Sequence, residues 1–418
     1  MKVLVLGAGV VGTAAAWYLM RGGHHVTVVD REAGAGLETS FANGGQISGS
    51  HAEPWANPSA PLKVAQWLFK EDAPLLFRLR FDVAQWEWGL RFLAQCAPSN
   101  TRENIIQIVR LGLYSRASLK ELRAETGIEY DHLERGILHF YTNAQAYDAA
   151  HEPARLMREI GCNRIIRSAE ECIAIEPALA QMRGRLAGGT YTSEDESGDA
   201  HLFTVRLAEL AVARGVTFLY GHEIQAIEHE GGKVTAVRVL DTDKSERRLK
   251  ADAYVLALGS YSPLMAKPLG LNLPVYPVKG YSVTMPVIDE RLAPCVSLTD
   301  DEYKLVMSRL GNRMRIAGTA ELTGYDTTLN ETRCRAILKR FSSCFPGACD
   351  ETQPKFWTGL RPATPGNVPL IGRTRYPNLY LNTGHGTLGW THSCGSGRAI
   401  ADIISGRKPD VEFRFAGV

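Results

Sequence analysis

The sequence lacks the features that mark disulfide-rich, membrane-spanning or nucleic-acid-binding proteins. Its eight cysteines include no Cys-x-x-Cys pair, which excludes a disulfide framework and a zinc site, so we expect reduced, buried side chains. No apolar run reaches the roughly 20 residues that a helix needs to span a bilayer. The 47 basic and 45 acidic residues leave a formal charge of only +2, without the basic excess of nucleic-acid binders.

The composition is that of a globular chain. Hydrophobic residues make up 45% of the sequence and charged residues 22%, which excludes disorder as a description of the whole. A length of 418 residues predicts two or three compact units with sizeable cores. We expect a cytoplasmic location and no metal ion.

The strongest motif lies at the N-terminus. Residues 3–6 form an apolar run, Gly7-x-Gly9-x-x-Gly12 follows it, and residues 11–21 have a helical pattern. Gly7 permits a tight turn, Gly9 lets backbone N–H groups approach a pyrophosphate, and Gly12 lets helix and strand pack closely. The helix N-terminus then faces the phosphate charge. The segment therefore predicts a dinucleotide-binding strand, turn and helix.

An acidic residue completes this unit but does not choose between FAD and NAD. Residues 25–30 form a second strand that ends at Asp30, where a carboxylate binds ribose hydroxyls. An NAD enzyme would continue with alternating strands and helices, whereas residues 38–48 are small, glycine-rich and without clear periodicity. Such a segment can wrap a large flat cofactor, and no second glycine motif indicates a separate nicotinamide site.

The rest of the pattern predicts an α/β protein, with α+β character, in two discontinuous domains. The first is a Rossmann-like dinucleotide-binding domain formed by residues 1–57, 192–273 and 355–418. The second is a substrate domain, residues 58–191 and 274–354, built on an antiparallel or mixed sheet plus helices. Within it we expect two helices in residues 145–180, strands at 275–285, 303–308 and 314–318, and a helix near 331–344.

Further strings resemble one known family. They are Ser40-x-x-Asn43-Gly44-Gly45-Gln46, Pro277-Val-Lys-Gly-Tyr281, Trp357-Thr-Gly-Leu-Arg-Pro-x-Thr-Pro365 and Asn382-Thr-Gly-His-Gly-Thr-Leu-Gly-Trp390. With the opening glycines, they resemble the D-amino-acid oxidase superfamily of flavoproteins over essentially the whole chain. Leu37-Glu-Thr-Ser40, Gly259-Ser-Tyr-Ser262 and Cys394-Gly-Ser-Gly397 resemble its bacterial D-amino acid dehydrogenase branch in particular.

The resemblance implies a noncovalent FAD and a defined reaction. A hydride passes from Cα of a D-amino acid to flavin N5, and water releases a 2-oxo acid and ammonia from the imino acid. Electrons then pass to a respiratory-chain acceptor, such as a quinone or an artificial dye. Two other enzymes remain open: a secondary-amine dehydrogenase of the D-proline or hydroxyproline type, and an oxygen-using amino acid oxidase. A flavin-binding protein without turnover is the alternative from another class.

The resemblance also implies site residues. Arg361 is expected to hold the substrate carboxylate, since a guanidinium can form two parallel charge-assisted hydrogen bonds with it. Tyr303, expected to begin a strand of the cavity wall, is the second catalytic candidate, and Tyr281 is a weaker one. The helix N-terminus near residues 386–389 is expected to face the flavin N1–C2=O edge, and Ile224 the adenine. The residues expected to bind FAD are Gly7, Gly9, Val10, Val11, Gly12, Asp30, Arg31, Ser40, Asn43, Gly44, Gly45, Gln46, Ile47, Ile224, Ala257, Gly259, Gly386, Thr387, Leu388 and Gly389.

The chain departs from the family pattern at three places. His51 stands where a tyrosine is expected, His392 where a methionine is usual, and Pro365-Gly-Asn replaces Pro-Asp-Gly. Because some of these positions are expected near the cofactor, they bear on substrate choice rather than on the chemistry.

The stretch 61–96 combines aromatic and apolar side chains with cations. Such a composition is typical of segments that lie in a bilayer interface, which would bring the protein to the inner face of the cell membrane. The alternative is that the same side chains fill the core of the second domain. The residues concerned are Trp67, Leu68, Phe69, Phe77, Phe81, Trp86 and Phe92 beside Lys63, Arg78, Arg80 and Arg91.

Overall fold

The fold was analysed in a computed structural model, which describes residues 1–51, 53–67, 75–78 and 81–417. Residues 63, 65–67 and 77 are described by their backbone alone. Within the described ranges, no helix combines the length and apolar character that crossing a membrane requires.

The described residues form twenty strands and eleven α-helices. The strands are β1 (Lys2–Leu6), β2 (His25–Val29), β3 (Gln46–Ile47), β4 (Leu75–Phe77), β5 (Ile137–Tyr141), β6 (Ile165–Ser168), β7 (Gly188–Thr192), β8 (Glu196–Ser197), β9 (Thr217–Leu219), β10 (Glu223–Glu230), β11 (Lys233–Leu240), β12 (Glu246–Leu249), β13 (Ala253–Leu256), β14 (Tyr276–Pro286), β15 (Ser297–Asp300), β16 (Leu305–Leu310), β17 (Arg313–Leu322), β18 (Lys355–Ala363), β19 (Leu370–Arg373) and β20 (Leu379–Thr383). The helices are α1 (Val10–Arg21), α2 (Ala60–Trp67), α3 (Val83–Gln95), α4 (Pro98–Thr126), α5 (Ala144–Ala149), α6 (His151–Glu159), α7 (Ala169–Ile175), α8 (Ala200–Ala213), α9 (Ser262–Ala266), α10 (Glu331–Cys344) and α11 (Gly389–Ile404).

The first sheet has six strands in the order β19-β20-β13-β1-β2-β9. All neighbours run parallel except β19 and β20, and the apolar runs of β1 and β13 are buried as expected for strands covered on both faces. Helices α1, α8 and α11 contribute to the core on one face. Strands β10 and β11 of a separate three-stranded sheet contribute to the core on the other face.

Local sequence accounts for the ends of several helices. The Asp199 carboxylate caps α8 by accepting hydrogen bonds from the backbone N–H groups of His201 (3.0 Å) and Leu202 (3.2 Å). Helix α4 ends at Gly127, which has a φ of +64°. These caps fix the helices that pack behind the first sheet.

The second sheet is mixed and has nine strands. Its order is β18-β14-β17-β16-β15-β5-β7-β6, with β4 pairing beside β17. Only the pairs β15–β5 and β17–β4 are parallel. Helix α10 helps to cover the apolar core of this sheet. The predicted α/β class, a Rossmann-like domain beside a second domain on a mixed sheet, is therefore confirmed.

Three details differ from the sequence predictions. Residues 145–180 contain strand β6 and three short helices rather than two helices. The strand predicted at 303–308 begins only at Leu305, because the chain turns before it and Lys304 has a φ of +55°. The boundary predicted at 355 falls at the start of β18, which lies in the second sheet. The division into domains stays a prediction.

Candidate active site

A cavity of about 1760 Å³ lies between the two sheets. Its wall contains the opening glycine turn on one side and residues of β14, β16, β17 and β18 on the other. A space of this kind can hold a large cofactor together with a small substrate.

The opening turn has the geometry that a dinucleotide requires. Gly7 has a φ of +110°, and a Cβ on Gly12 would lie 1.9 Å from the carbonyl oxygen of Gly7. Glycine is therefore required at both positions. The Val10 N–H, at the start of α1, donates to Ser40 Oγ (3.0 Å), and both residues line the cavity. The turn and the helix N-terminus leave a cradle that fits a pyrophosphate.

Asp30 stands at the end of β2, on the same wall. Its carboxylate accepts hydrogen bonds from the N–H groups of Ala8 (2.6 Å) and Glu32 (2.9 Å), which fix its orientation. Burial raises the pKa of this carboxyl above its ordinary value, an effect that the two N–H groups oppose. Asp30 is thus placed to accept hydrogen bonds from ribose hydroxyls.

Most of the predicted cofactor residues line the cavity, and two do not. Gly12 packs against the backbone of Gly7, and Ile47 is fully buried in the core of the first sheet. Both residues shape the site from behind its wall, and their predicted part in binding the cofactor stays a prediction. The lining residues are Gly7, Gly9, Val10, Val11, Asp30, Arg31, Ser40, Asn43, Gly44, Gly45, Gln46, Ile224, Ala257, Gly259, Gly386, Thr387, Leu388 and Gly389.

The segment 40–51, which we call the flavin loop, is held from both sides. A Cβ on Gly44 would lie 2.3 Å from the Val306 side chain, so the loop lies directly on the second sheet. The Gln46 amide donates to Ser297 Oγ and Thr299 Oγ1 of β15, each at 3.0 Å. The loop is therefore fixed to the second sheet before it reaches His51.

Asp195 anchors the far end of the flavin loop. Its buried carboxylate accepts hydrogen bonds from Ser48 Oγ (2.8 Å), Gly49 N (3.1 Å) and Ser50 Oγ (2.5 Å). Arg116 pairs with the same carboxylate at 2.9 Å. No pattern in the sequence points to Asp195, because the loop residues that it binds lie about 145 positions away along the chain.

Arg361 is a half-buried cation in the cavity wall. From β18 its guanidinium donates to the carbonyl oxygens of Thr319 (2.7 Å) and Gly318 (3.4 Å). Among the described residues, no carboxylate forms an ion pair with it. Burial, together with the charge of Arg333, lowers its pKa to about 10, so it remains charged at neutral pH. An unpaired cation in such a wall is suited to bind an anion.

Gly280 makes room for this guanidinium. A Cβ at position 280 would lie 2.2 Å from Arg361 Cζ, so only glycine leaves the arginine in place. Both residues line the cavity. The space that Arg361 occupies thus explains why the Pro277-Val-Lys-Gly-Tyr281 string has a glycine at position 280.

The two tyrosine candidates are placed differently from the prediction. Tyr303 lies in the turn before β16, is 48% exposed, and stacks its ring on the Arg340 guanidinium at 3.9 Å. It is not part of the cavity wall, so its assignment to that wall was wrong. Tyr281 does line the cavity, but its hydroxyl donates to the buried Glu321 at 2.5 Å. Neither hydroxyl is free to meet a substrate.

Sequence reasoning missed a polar cluster on the same wall. His139 of β5 contacts Asp301 (Nδ1 to Oδ2, 2.7 Å), and its ring stacks on that of His51 with centroids 5.3 Å apart. Nearby are Arg164 and Lys304, and all five side chains line the cavity. The only signal in the sequence was His51, since the pairing of β5 with β15 brings the other residues together.

The start of α11 closes the cavity. Gly386–Leu388 form one turn before Gly389 begins the helix, and His385 precedes them. Burial, with the neighbouring His392, lowers the pKa of His385 to about 3, so its ring is neutral. The helix N-terminus, rather than a charged histidine, therefore provides the positive potential here.

Comparisons with known proteins agree with this architecture. The model of the FAD dependent oxidoreductase family (DAO) matches residues 2–403. A D-amino acid dehydrogenase of Dechloromonas aromatica is 58% identical over 415 residues, 99% of each chain. One of Paramagnetospirillum magneticum is 56% identical over 419 residues, 100% of this chain and 98% of the relative. The crystal structure of glycine oxidase from Geobacillus kaustophilus has a similar fold, with a TM-score of 0.75 at 22% identity, covering 98% of this chain and 96% of that one.

The family match spans nearly the whole chain, and the cradle of glycines, Asp30 and the flavin loop fits the cofactor that the family description names. The chain belongs to the FAD-dependent oxidoreductase family.

Proposed function

We propose that this protein is an FAD-dependent D-amino acid dehydrogenase that oxidises the Cα–N bond of its substrate. The observation that carries the proposal is Arg361, a half-buried guanidinium without a carboxylate partner among the described residues, in the wall of the cofactor cavity. The names of the two relatives at 58% and 56% identity supply the substrate class and its D configuration.

Different residues of this chain would bind the cofactor and the substrate. When bound, FAD supplies the acceptor for the hydride that leaves Cα. The opening turn and Asp30 would hold its dinucleotide portion, and the flavin loop with residues 386–389 would hold its ring, since all of them line the cavity. Arg361 binds the substrate carboxylate and so fixes the position of Cα. The imino acid then takes up water, giving the 2-oxo acid and ammonia.

The cavity also prepares the substrate amine. An ammonium group must lose a proton before Cα can lose a hydride. Desolvation favours the neutral amine, because a buried cation is less stable than a hydrated one. Arg361, whose own pKa is lowered by burial, adds like-charge repulsion in the same direction. No separate strong base is needed for this step.

We further propose a membrane-bound acceptor of the quinone type, supported by the exposed face of α3. Val83, Trp86, Leu90 and Leu93 are 81%, 50%, 68% and 52% exposed and recur on one side of the helix. Trp86, Leu90 and Leu93 also line the cavity. An apolar lip of this kind can lie in a bilayer interface and admit an apolar acceptor.

Other residues of the stretch 61–96 are divided between the two alternatives, a segment in a bilayer interface and the core of the second domain. Phe81 is fully exposed, whereas Phe92 packs with the core residue Trp88. Arg78 and Arg91 form ion pairs with Glu321 and Glu87. The side chains of Lys63, Trp67, Leu68, Phe69, Phe77 and Arg80 lie outside the described residues.

Anaerobic absorbance spectroscopy tests the proposal. We expect the purified protein to be yellow, and D-amino acids to bleach the flavin band while L-amino acids do not. Reoxidation by a quinone or a dye should be much faster than by oxygen. Bleaching by D-proline or hydroxyproline alone would indicate the secondary-amine reaction, and rapid oxygen use would indicate an oxidase. A protein that binds FAD but is bleached by no amino acid would overturn the enzymatic assignment.

A further inference from the structure

We infer that His51, His139 and Asp301 form a subsite that selects D-amino acids with uncharged, hydrogen-bonding side chains. The inference rests on the proposed function, because it names the part of the substrate that this end of the cavity would meet. We call these three residues the histidine subsite.

The hydrogen-bonding state of His139 follows from its partner. Burial opposes ionisation of Asp301, yet His139, Lys304 and Arg164 hold the pKa of this carboxyl well below its usual range. An ionised carboxylate only accepts hydrogen bonds, so His139 Nδ1 must donate across the 2.7 Å contact. Its Nε2 is then left without a hydrogen-bond partner among the described residues.

His51 offers a second unpartnered nitrogen. Its ring stacks on His139 at 25° between planes, so the two imidazoles do not bond to each other. Nδ1 of His51 is buried and has no partner among the described residues. Burial, with the neighbouring His139, lowers the pKa of His51 to about 3, so the ring is neutral. Buried polar atoms without partners in a cavity wall are suited to a polar ligand group.

The charges around the subsite balance. Asp301 pairs with Lys304 at 3.2 Å, and Arg164 pairs with Glu53 at 3.2 Å. Because two carboxylates face two cations, a charged side chain of either sign would bring an unbalanced charge into the cavity. A hydroxyl or amide would not, and it can both donate to and accept from imidazole nitrogens.

Contacts connect the subsite to the carboxylate-binding end. Arg361 donates to the Gly318 carbonyl at 3.4 Å, and a Cβ on Gly318 would lie 2.6 Å from the carbonyl oxygen of Lys304. Lys304 then contacts Asp301, whose partner is His139. All these residues line the cavity, so a substrate held by Arg361 can direct its side chain along this wall.

Matched pairs of substrates and of inert acids test the subsite in the FAD-loaded enzyme. D-asparagine and D-leucine have similar shapes, but only the amide forms hydrogen bonds. Succinamate and 4-methylpentanoate are the same skeletons without the α-amine, so they bind without being oxidised. We expect kcat/KM for D-asparagine to exceed that for D-leucine by about tenfold, and the Kd values from flavin absorbance to show the same preference, since one hydrogen bond has about this effect.

His51→Phe is the informative variant, because the His51 ring forms no hydrogen bond with another described residue and its loss leaves no protein group unpaired. We expect both ratios to fall to about one, with unchanged FAD content and melting temperature. His51→Gln should retain a preference, and the exposed His229→Phe should behave as the wild type.

The outcomes separate the two proposals. The subsite would be overturned if the preference for the amide over the branched alkyl group, in kcat/KM and in Kd, were equal in wild type and His51→Phe. A preference for D-lysine or D-glutamate over D-asparagine would also overturn it. If the inert acids show the preference while no amino acid is oxidised, the subsite stands and the proposed reaction fails.

Discussion

At the scale of single residues, Arg361 couples function to a cost in stability. Its guanidinium is half-buried and pairs with no described carboxylate, and desolvation lowers its pKa, so we expect the charge to destabilise the folded chain until an anion binds. We expect Arg361→Ala and Arg361→Lys to lower kcat/KM for amino acids, mainly by raising KM, while FAD stays bound. The loss corresponds to about 2–4 kcal/mol of transition-state stabilisation. Arg361→Met should also raise the melting temperature of the substrate-free enzyme.

Steady-state kinetics and thermal unfolding measure the two effects, with the exposed Arg335→Met on α10 as the control. An unchanged kcat/KM in the alanine variant would remove Arg361 from the substrate site. A lowered melting temperature in the methionine variant would show that the hydrogen bonds of the guanidinium stabilise the folded chain more than its charge destabilises it.

His392 makes stability depend on pH. Burial lowers its pKa from the ordinary value of about 6.5 to about 4, an effect that the Ile108 backbone only partly offsets. Between these values the unfolded chain binds the extra proton, so the free energy of unfolding must fall as the pH decreases from about 6.5 to about 4. His392→Met should remove this contribution, which amounts to about 1.4 kcal/mol per pH unit.

Urea unfolding at several pH values, with FAD in excess, tests this expectation. The stability advantage of His392→Met over wild type should grow as the pH falls and level off below about 4. The exposed His229→Met is the control. An advantage that is constant across this range would show that His392 takes up no proton on unfolding.

Residue-level prediction worked where chemistry is local in sequence. The opening glycines and Asp30 could be recognised because strand, turn, helix and second strand follow one another within residues 1–30. His139 and Asp301 were missed because each looks ordinary in its own strand or turn. Tyr303 was misplaced because the left-handed backbone at Lys304 delays the strand.

At the scale of elements, the flavin loop depends on one carboxylate. Asp195 accepts hydrogen bonds from three consecutive loop residues and pairs with Arg116, so it orders the loop between Gln46 and His51. Asp195→Asn replaces an acceptor by a donor and leaves Arg116 without this partner. We expect it to weaken FAD binding by about tenfold, the effect of one poorly satisfied buried group.

Fluorescence titration of the apoprotein with FAD measures the change. Glu194→Gln is a matched control, because Glu194 pairs with the same arginine at 3.2 Å but is half-exposed. Equal FAD affinities of the two variants would show that loop order does not depend on Asp195.

Element-level prediction separated strong patterns from weak ones. Helix α10 occupies the predicted range because its apolar positions recur with helical spacing over fourteen residues. Strand β6 was missed because it has only four residues, none of them fully buried. Gly12 and Ile47 belong to motifs predicted to bind FAD but lie behind the cavity wall, because a motif tells which residues belong to a unit and not which side they face.

At the scale of the whole molecule, the exposed apolar face of α3 supports the proposed contact with a membrane. We expect the FAD-loaded protein to sediment with anionic vesicles at low salt and to be released by high salt. Replacing Leu90 and Leu93 by Gln should abolish binding, because their exposed side chains would insert into the interface. Catalysis with a water-soluble dye should be unaffected.

Ile288→Gln is the control, because Ile288 is 65% exposed on a distant part of the sequence. Sedimentation that is equal for wild type and the double variant would assign the apolar face to another role. No sedimentation of wild type at low salt would remove the membrane proposal altogether.

The order of strands in the first sheet has a consequence for biosynthesis. Strand β1 is made before the other strands of this sheet, yet it lies between β2 and β13, and β13 in turn lies beside β20. Helix α1 packs with α11, which ends at Ile404. At about 5–20 residues per second, tens of seconds pass between the synthesis of β1 and that of β13 and β20. The edge of β1 that pairs with β13 therefore stays unpaired until residue 256 has been made, and a cofactor that also needs residues 386–389 can be held only after those residues have been made.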